Sequence, residues 1–457
     1  MRIAIISFFA MAAISCGSIP KRDDLDKIKA EAKNQDGGEI VWQKDAESAA
    51  AVEKEIDALI KKPLTKEGAI QLALYSNREL QAQFDRIGVA HANIWQATLF
   101  KNPTIDFASK FPLSGGEPKI EAGLEWSIAD LFARSARIRM AEAEANETAQ
   151  NVAQAVRDLI QQTKSAYFDY QFSLHMYKIE QTTLETAEMN LNLQRRLFAA
   201  GNISDLDLAT EEAHVAALRL ELQSQNLEVA QKKETLQKLF GLWGKKTEWN
   251  IIDTLPKLPA KDLPIDALEF TAVKNRGDLQ GMMAGLETIK AELDQVKTVR
   301  WIPALDLGVG VISDFGEKFG VGPQVRWEIP IFDQGSARIE RLVNLYRMKL
   351  RAAENLAVQI RSEARQSRNK MVTERERIRY FSQTLLPLRA KVTDETQLFY
   401  NGMLMGLPQL LNAKQEELKT QKEYLLAHKQ YWIAYSELER ATGSRMSAEK
   451  EGKNDTK

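Results

Sequence analysis

The sequence predicts a mainly α-helical protein with a small β part, built from duplicated helix–β-hairpin–helix halves. Three observations predict this fold class. Ala, Leu, Glu, Gln, Lys and Arg dominate long stretches of the 457 residues, which is typical of long helices. A few short segments alternate apolar and other residues, as strands do. Finally, one series of motifs occurs twice, about 200 residues apart.

The N-terminus has the pattern of a targeting segment. An apolar run at 3–13 follows Arg2 and is too short to cross a membrane, as in a secretory signal. Small residues precede Cys16, the only cysteine of the chain, as in the lipobox of bacterial lipoproteins. We therefore expect residues 1–16 to be a signal peptide with a lipobox and Cys16 to be lipidated. The alternative is an ordinary secretory signal with an incidental cysteine.

Composition shifts divide the rest of the chain. A charged stretch poor in apolar residues follows Cys16, three prolines mark the joint between the halves, and the C-terminus is polar. The predicted segments are a tether at 17–62, a first repeat at 63–241, a linker at 242–263, a second repeat at 264–443 and a polar tail at 444–457.

The internal repeat keeps its order across the chain, which chance does not explain. The paired motifs are Asn77-Arg78-Glu79-Leu80-Gln81 with Asn275-Arg276-Gly277-Asp278-Leu279-Gln280, Asn102-Pro103 with Ile302-Pro303, Trp126-Ser127-Ile128 with Trp327-Glu328-Ile329, and Leu197-Phe198-Ala199-Ala200-Gly201 with Leu398-Phe399-Tyr400-Asn401-Gly402. A period of this length is too long for a solenoid and indicates a duplicated half-protein.

Each half has the same series of predicted elements. A first helix covers 64–100 and 263–301. Strands are predicted at about 103–113 and 119–128, and again at about 303–314 and 320–330, because apolar residues alternate there. Very long helices follow at 132–199 and 333–401, and last helices at 206–240 and 407–441. About 65 helical residues give a rod near 100 Å, longer than a compact globule of this size needs.

The predicted strands have the length of strands that cross a membrane, about 9–11 residues. No apolar run approaches the roughly 20 residues of a membrane-spanning helix. Four strands cannot close a barrel, and open strand edges are not tolerated in lipid. We therefore expect the β part to be transmembrane, with three chains contributing twelve strands to one closed pore. The alternative is a soluble four-stranded sheet beside a helical bundle.

The ordered set of motifs resembles the TolC family of outer-membrane efflux proteins from about Leu64 to Gly443. The motifs are Leu64-Thr65-Lys66-Glu67-Gly68-Ala69, Asn102-Pro103, Ile329-Pro330-Ile331-Phe332, the Gly201 and Gly402 tips, and Leu410-Leu411-Asn412-Ala413-Lys414-Gln415. The resemblance implies a homotrimer in outer-membrane lipid, with a twelve-stranded β-barrel and a long periplasmic α-helical barrel. It also implies a passive duct for metal cations or drugs, working with a periplasmic adaptor and an inner-membrane pump of the RND type.

One motif is similar to the heavy-metal cation efflux branch of that family. It is Ser135-Ala136-Arg137-Ile138 followed by Ala141-Glu142-Ala143-Glu144. Its usual preceding Gly-Gly-Lys-Arg element is replaced here by Leu131-Phe132-Ala133-Arg134. Separately, Met403 and Met405 near the second tip have sulfurs that are suited to copper or silver. Packing residues are the alternative interpretation of these methionines.

The resemblance places the periplasmic tips at Gly201 and Gly402, where glycine permits the positive φ of a turn. Residues after the tips would line the aperture and contact the adaptor. After the second tip these are amides, Gln409 and Asn412. After the first tip they are the acids Asp205, Asp207, Glu211 and Glu212, which threefold symmetry would turn into charged rings. A position in the N-cap region of the helix is the alternative role of Asp205, and solvated surface is the alternative for the two glutamates.

No catalytic, metal or cofactor-binding constellation is predicted, so the chain is not expected to be an enzyme. His91, His175, His214 and His428 are isolated on predicted helices. Gly241–Thr247 only faintly resembles a phosphate loop, since its spacing is wrong and no strand precedes it. Near-zero net charge gives no case for nucleic acid. Two other functions stay open: a type I secretion channel and a periplasmic coiled-coil scaffold without a pore.

Overall fold

A computed structural model describes residues 22–34, 38–113, 115–259, 268–302 and 304–443. The predicted signal peptide with Cys16 and the predicted tail at 444–457 lie outside these residues. Within the described ranges, no helix combines the length and the hydropathy that a membrane-crossing helix requires.

The described residues form eleven α-helices and four strands. In chain order these are α1 (Asp24–Asn34), α2 (Ala46–Ile60), α3 (Lys66–Ser76), α4 (Arg78–Thr98), β1 (Thr104–Lys110), β2 (Lys119–Ser127), α5 (Ala129–Ala199), α6 (Asp205–Phe240), α7 (Leu268–Asn275), α8 (Gly277–Val299), β3 (Leu305–Ser313), β4 (Gly320–Trp327), α9 (Ser336–Tyr380), α10 (Leu386–Asn401) and α11 (Leu407–Thr442). A turn of π-helix, Phe381–Leu385, joins α9 to α10 directly before Pro387.

The first helix predicted in each half is divided in two. Asn77 separates α3 from α4, and its side-chain Oδ1 accepts from the Leu80 N–H at 2.9 Å, which caps the start of α4. Its Nδ2 donates to the Leu239 carbonyl at 2.9 Å. In the second half the break falls between Asn275 and Gly277. The prediction of single helices at 64–100 and 263–301 is therefore wrong, because a residue distant in sequence helps to fix the break.

The four strands form one antiparallel sheet in the order β1-β2-β3-β4. Ile105 pairs with Leu124, Leu124 with Val309, and Val309 with Pro323, which fixes the register across all strands. Strands β2 and β3 come from different halves, so the two hairpins are joined edge to edge within the chain. Strands β1 and β4 lie at the two edges.

The chain divides into two compact units, and each contains segments of both halves. The first unit includes Ala82–Gln154 and Gly277–Ala357, and therefore the whole sheet. Its helices pack through small apolar clusters, such as Ala90, Ile94 and Ala141. Gly285 of α8 lies against the ion pair between Lys349 and Glu147, whose Nζ and Oε1 atoms are 2.8 Å apart.

The second unit comprises Lys29–Gln81, Ala155–Arg276 and the chain from Val358 onward. Trp249 is buried against Phe240 and Tyr170, with ring centroids 5.3 and 5.6 Å away. Because the linker residue Ile251 also forms a parallel bridge with Leu64, this part of the predicted linker is anchored in the core of the unit.

The second part of the predicted tether at 17–62 contains helix α2 and docks on the second unit. The side-chain amide of Gln71 donates to the Glu39 carbonyl at 2.9 Å and accepts from the Glu39 N–H at 2.8 Å. The Gln81 amide binds the Val41 carbonyl and the Gln43 N–H in the same way, at 3.0 Å each. Two glutamines thus supply the hydrogen bonds that a neighbouring strand would supply.

Glycines at the ends of α6 and α11 dock on the two helix breaks. Gly241 has φ +65, and a Cβ there would lie 2.7 Å from the Ser76 carbonyl oxygen. Gly443 has φ +62, and its Cβ would lie 2.7 Å from the Asn275 carbonyl oxygen. The duplicated halves therefore repeat one packing motif, a left-handed glycine cap against a helix break.

Buried His428 makes stability sensitive to acid. Burial lowers its pKa to about 4, whereas an unfolded chain has a histidine pKa near 6.5. Among the described residues its ring nitrogens have no hydrogen-bond partner, and the ring centroid of Tyr424 lies 4.6 Å from that of His428. As the pH falls, His428 is therefore protonated in the unfolded chain before it is protonated in the folded chain.

We expect the free energy of unfolding to be unaffected by His428 above pH 6.5 and to fall by roughly 3 kcal/mol between pH 6.5 and 4. His428→Phe should remove this part of the pH dependence, measured by denaturant unfolding over that range. Exposed His214 provides the control variant His214→Gln. An unchanged pH profile in His428→Phe would show that the histidine is hydrated.

Candidate functional site

The sheet has one apolar face and one polar face. Residues that pair directly in an antiparallel sheet point to the same face. The register places nearly all large apolar residues of the strands on one side of the sheet. Two serines also lie on that side. The apolar face consists of Ile105, Phe107, Ser109, Ile120, Ala122, Leu124, Trp126, Leu305, Leu307, Val309, Val311, Ser313, Val321, Pro323, Val325 and Trp327. This separation matches the alternation from which the strands were predicted.

The apolar face is exposed in the single chain. Ile105 and Phe107 of β1 are 78% and 71% exposed, and Val321 and Val325 of β4 are 70% and 67% exposed. An apolar patch that spans four strands is far larger than the scattered apolar residues of an ordinary surface. This face therefore requires an apolar environment outside the chain.

The opposite face carries charged residues and glycines. Glu125 forms an ion pair with Arg326, with Oε2 and Nη1 2.8 Å apart, and Lys119 lies 2.8 Å from Asp314. Gly123, Gly310 and Gly322 lie side by side on three adjacent strands, and the Gln324 side chain covers the first two of them. A face of charged side chains and glycines is suited to contact with water.

Both edges of the sheet are open in the single chain. Strand β1 pairs only with β2, and β4 pairs only with β3, among the described residues. Each edge therefore presents one row of backbone N–H and C=O groups without a strand partner. The two edges are compatible with pairing between copies of the chain.

The first helical tip has the predicted glycine turn. Gly201 has φ +77, and the Asn202 N–H donates to the Leu197 carbonyl at 2.9 Å, which closes the end of α5. The next helix begins with a capping box. The Ser204 Oγ accepts from the Asp207 N–H at 3.2 Å, while the Asp207 carboxylate accepts from the Ser204 N–H at 3.1 Å.

At the second tip the left-handed residue is Met403, with φ +56, and not Gly402, with φ −81. The Gly402 N–H still donates to the Leu398 carbonyl at 3.0 Å, so the helix continues for one more residue before it turns. The expected positive φ at Gly402 is therefore wrong. Met403 carries the backbone strain of a non-glycine residue, about 1–2 kcal/mol.

Most of the predicted aperture acids have local partners. Asp207 completes the capping box of Ser204, the helix cap, and hydrogen bonds from Ser204 hold the pKa of the Asp207 carboxyl below its usual value. Glu211 accepts from the Asn190 amide at 2.9 Å, and Glu212 pairs with Arg195 at 2.8 Å. Asp205 is exposed and has no such partner among the described residues. Asp205 lies in the first turn of α6, but the capping hydrogen bonds come from Ser204 and Asp207, so Asp205 is the acid that stays available to a pore.

The remaining predicted tip residues are exposed. Gln409 and Asn412 lie exposed in the first two turns of α11. Met403 is 94% exposed and Met405 43% exposed, so neither is a core packing residue in the single chain. No group of three His, Cys, Asp or Glu side chains positioned for a metal ion occurs in the described ranges.

Helix α6 carries an exposed leucine seam that the sequence analysis missed. Leu206, Leu220 and Leu227 are 75%, 65% and 59% exposed. With Ala213 they recur every seven residues, which is the spacing of a coiled-coil contact. Val215 of the same helix is buried instead against Ala187 of α5. The seven-residue spacing was the signal that could have revealed this second apolar face.

Residues 69–242 match the outer membrane efflux protein family. The match covers 174 of the 457 residues, and over this segment the chain is similar to outer membrane efflux proteins. It is 26% identical over 296 residues to the cobalt-zinc-cadmium resistance protein CzcC of Cupriavidus metallidurans, covering 61% of this chain and 65% of CzcC. It is 29% identical over 228 residues to the probable efflux pump outer membrane protein TtgC of Pseudomonas putida, covering 46% of this chain and 44% of TtgC. The alignments therefore span less than two thirds of either relative.

Solved structures of outer-membrane channels share the fold. The crystal structure of CusC superposes with a TM-score of 0.67 at 16% identity and covers 86% of this chain and 92% of CusC. The Campylobacter jejuni outer membrane channel CmeC gives a TM-score of 0.64 at 15% identity, covering 94% of this chain and 95% of CmeC. These relationships confirm the predicted mainly α-helical fold with a small β part, and the matched proteins are channels or outer membrane efflux proteins and not enzymes.

Proposed function

We propose that the chain is the outer-membrane channel of a tripartite, RND-type efflux system. Three copies form a passive exit duct that receives metal cations or drugs from an inner-membrane pump through a periplasmic adaptor. The observation that carries this proposal is the sheet with one apolar face, one polar face and two open edges.

The sheet supports a transmembrane barrel of twelve strands. In lipid every backbone polar group needs a partner within the protein, so an open four-stranded sheet is not stable there. Pairing β1 of one copy with β4 of the next satisfies both edges at once. Three copies then give a closed barrel whose apolar face meets lipid and whose glycine-lined polar face surrounds water.

The leucine seam of α6 supports helical contacts between the same copies. Its three leucines lie on a face that no described helix of the chain covers. Exposed Leu388 and Val392 of α10, at 54% and 50% exposure, offer a matching apolar surface. We propose that α6 of one subunit packs on α10 of the next, which extends the duct as a periplasmic α-helical barrel.

The tips supply the aperture and the adaptor contact in this proposal. Exposed apolar residues surround the turns at Gly201 and Gly402, including Leu398 at 64% and Leu404 at 74% exposure. Asp205, Gln409 and Asn412 lie beside these turns with exposed polar side chains. In a trimer each becomes a ring of three, and Asp205 gives the ring that favours cations.

The names of two relatives support export, one through efflux and the other through metal resistance. CzcC is named for cobalt, zinc and cadmium resistance, and TtgC for an efflux pump. Survival of a deletion strain on metals and on organic antibiotics would separate the two substrate classes. A defect confined to one exported protein would instead favour type I secretion.

Conductance of the purified protein in planar bilayers tests the proposed pore. We expect small conductance from the unaltered chain and a several-fold increase in Asp207→Ala or Gln409→Ala, since the first removes half of the capping box and the second an aperture side chain. A protein that forms trimers but never conducts, even with both substitutions, would support a periplasmic scaffold.

We also propose that Cys16 is lipidated. Cys16→Ser should abolish acylation, measured as a loss of mass and of labelled lipid, but leave assembly largely intact. The reason is that one lipid anchor adds little to a closed barrel in the bilayer. Equal mass and labelling before and after the substitution would show that Cys16 carries no lipid.

A further inference from the structure

A cleft of about 400 Å³ lies between helix α2 and the loop that follows α6. Helix α2 contributes Val52 and Ile56, and the loop contributes Trp243 and Lys245. The loop is part of the Gly241–Thr247 segment, to which the proposed channel assigns no role. The volume is within the range of small-molecule sites, about 300–1,000 Å³.

The backbone around Trp243 places its indole ring at the cleft, where it is also open to solvent. The indole is 82% exposed. Glycines on both sides, Gly241 and Gly244, have φ +65 and +64, a conformation that other residues rarely adopt. An exposed indole beside polar groups is suited to a ligand ring that has an apolar face and a hydroxylated rim.

The cleft carries an excess of positive charge. Its lining includes Arg78, Lys245 and Lys246 but only one acid, Glu53. Lys246 is neutralised by Glu53 at 2.8 Å and by Asp57 at 3.0 Å. Arg78 and Lys245 are exposed and make no ion pair with any described residue. Two uncompensated cations, one of them a planar guanidinium, favour a carboxylate on the ligand.

We propose that this cleft binds a sugar that carries a carboxylate. The acidic amino sugar of bacterial cell-wall glycan has this chemistry. Trp243 stacks on the ring, and Arg78 and Lys245 bind the carboxylate. This site is additional to the proposed channel and its test requires no pore.

Titration of the detergent-solubilised full-length protein with two sugars, followed by saturation-transfer NMR, tests the proposal. N-acetylmuramic acid and N-acetylglucosamine share a ring but only the first has a carboxylate. We expect N-acetylmuramic acid to bind about tenfold more tightly, which corresponds to one charge-assisted contact. Arg78→Gln combined with Lys245→Gln should remove the preference for N-acetylmuramic acid. Trp243→Ala should weaken the binding of both sugars by about tenfold.

Matched variants outside the cleft are Lys257→Gln and Trp301→Ala, both at exposed positions, and these should leave binding unchanged. Trp243→Phe keeps a ring and should retain most of the affinity. Equal affinity for the two sugars, no binding of either, or binding insensitive to Trp243→Ala would each overturn the proposal. Tighter binding of glucose 6-phosphate than of N-acetylmuramic acid would also overturn it, because the site would then select phosphate.

Discussion

Lysine at position 309 is expected to prevent insertion of the assembled protein into the outer membrane. Val309 lies in the interior strand β3 on the apolar face and is 52% exposed. A lysine on the lipid-facing surface of a transmembrane barrel destabilises it by about 2–4 kcal/mol near the bilayer midplane. Each of three subunits would carry this charge, so we expect the yield of heat-sensitive trimers in outer-membrane fractions to fall to a small remnant.

Gln324→Lys is the matched control. Gln324 lies in the neighbouring strand β4, opposite Gly308 and therefore on the polar face. The same charge should be tolerated there because the side chain meets water. Equal trimer yields for Val309→Lys and Gln324→Lys would mean that the apolar face does not contact lipid.

Alanine at position 241 is expected to destabilise the second unit by about 3 kcal/mol. Two effects add at this residue: the positive φ of +65, which costs a non-glycine residue about 1–2 kcal/mol, and the new Cβ. That atom would lie 2.7 Å from the Ser76 carbonyl oxygen. Backbone contacts of this kind relax only if the helix ends move apart, which adds about 1–3 kcal/mol.

Gly201→Ala separates the two effects. Gly201 also has a positive φ, +77, but a Cβ there meets nothing within 4 Å. The free energy of unfolding of Gly201→Ala should therefore fall only by the cost of the positive φ, about 1–2 kcal/mol. Denaturant unfolding of both variants measures the difference. Equal losses would show that Gly241 is required for its φ alone and that the contact with Ser76 relaxes freely.

The features with a short sequence period were predictable. Alternation in residues such as Ile120, Ala122 and Leu124 revealed the strands, and the register places these side chains on one face. The Gly201 turn was also predictable, because a glycine after a long helix is a frequent helix end. Both signals are local, so no knowledge of distant contacts was needed.

The features that depend on distant contacts were not predictable. Asn77 breaks a helix partly by donating to the Leu239 carbonyl, 162 residues away. Gln71 and Gln81 bind a segment that composition alone assigned to a tether. At the second tip, one more helical hydrogen bond moves the turn from Gly402 to Met403. None of these three features follows from the neighbouring sequence, because each depends on which hydrogen bond forms among several of similar energy.

A disulfide between the two edge strands tests the shared barrel most directly. In one chain β1 and β4 are separated by three strand spacings, about 14 Å, beyond the roughly 7 Å that a disulfide spans. In Cys16→Ser, one cysteine at Ala108 would be combined in turn with one at Gly320, Gly322, Gln324 or Arg326, all on the polar face. A closed barrel predicts that at least one pair yields a covalent three-chain species from intact outer membranes. If all four pairs yield only single chains in membranes where the protein is abundant, the edges do not meet between subunits.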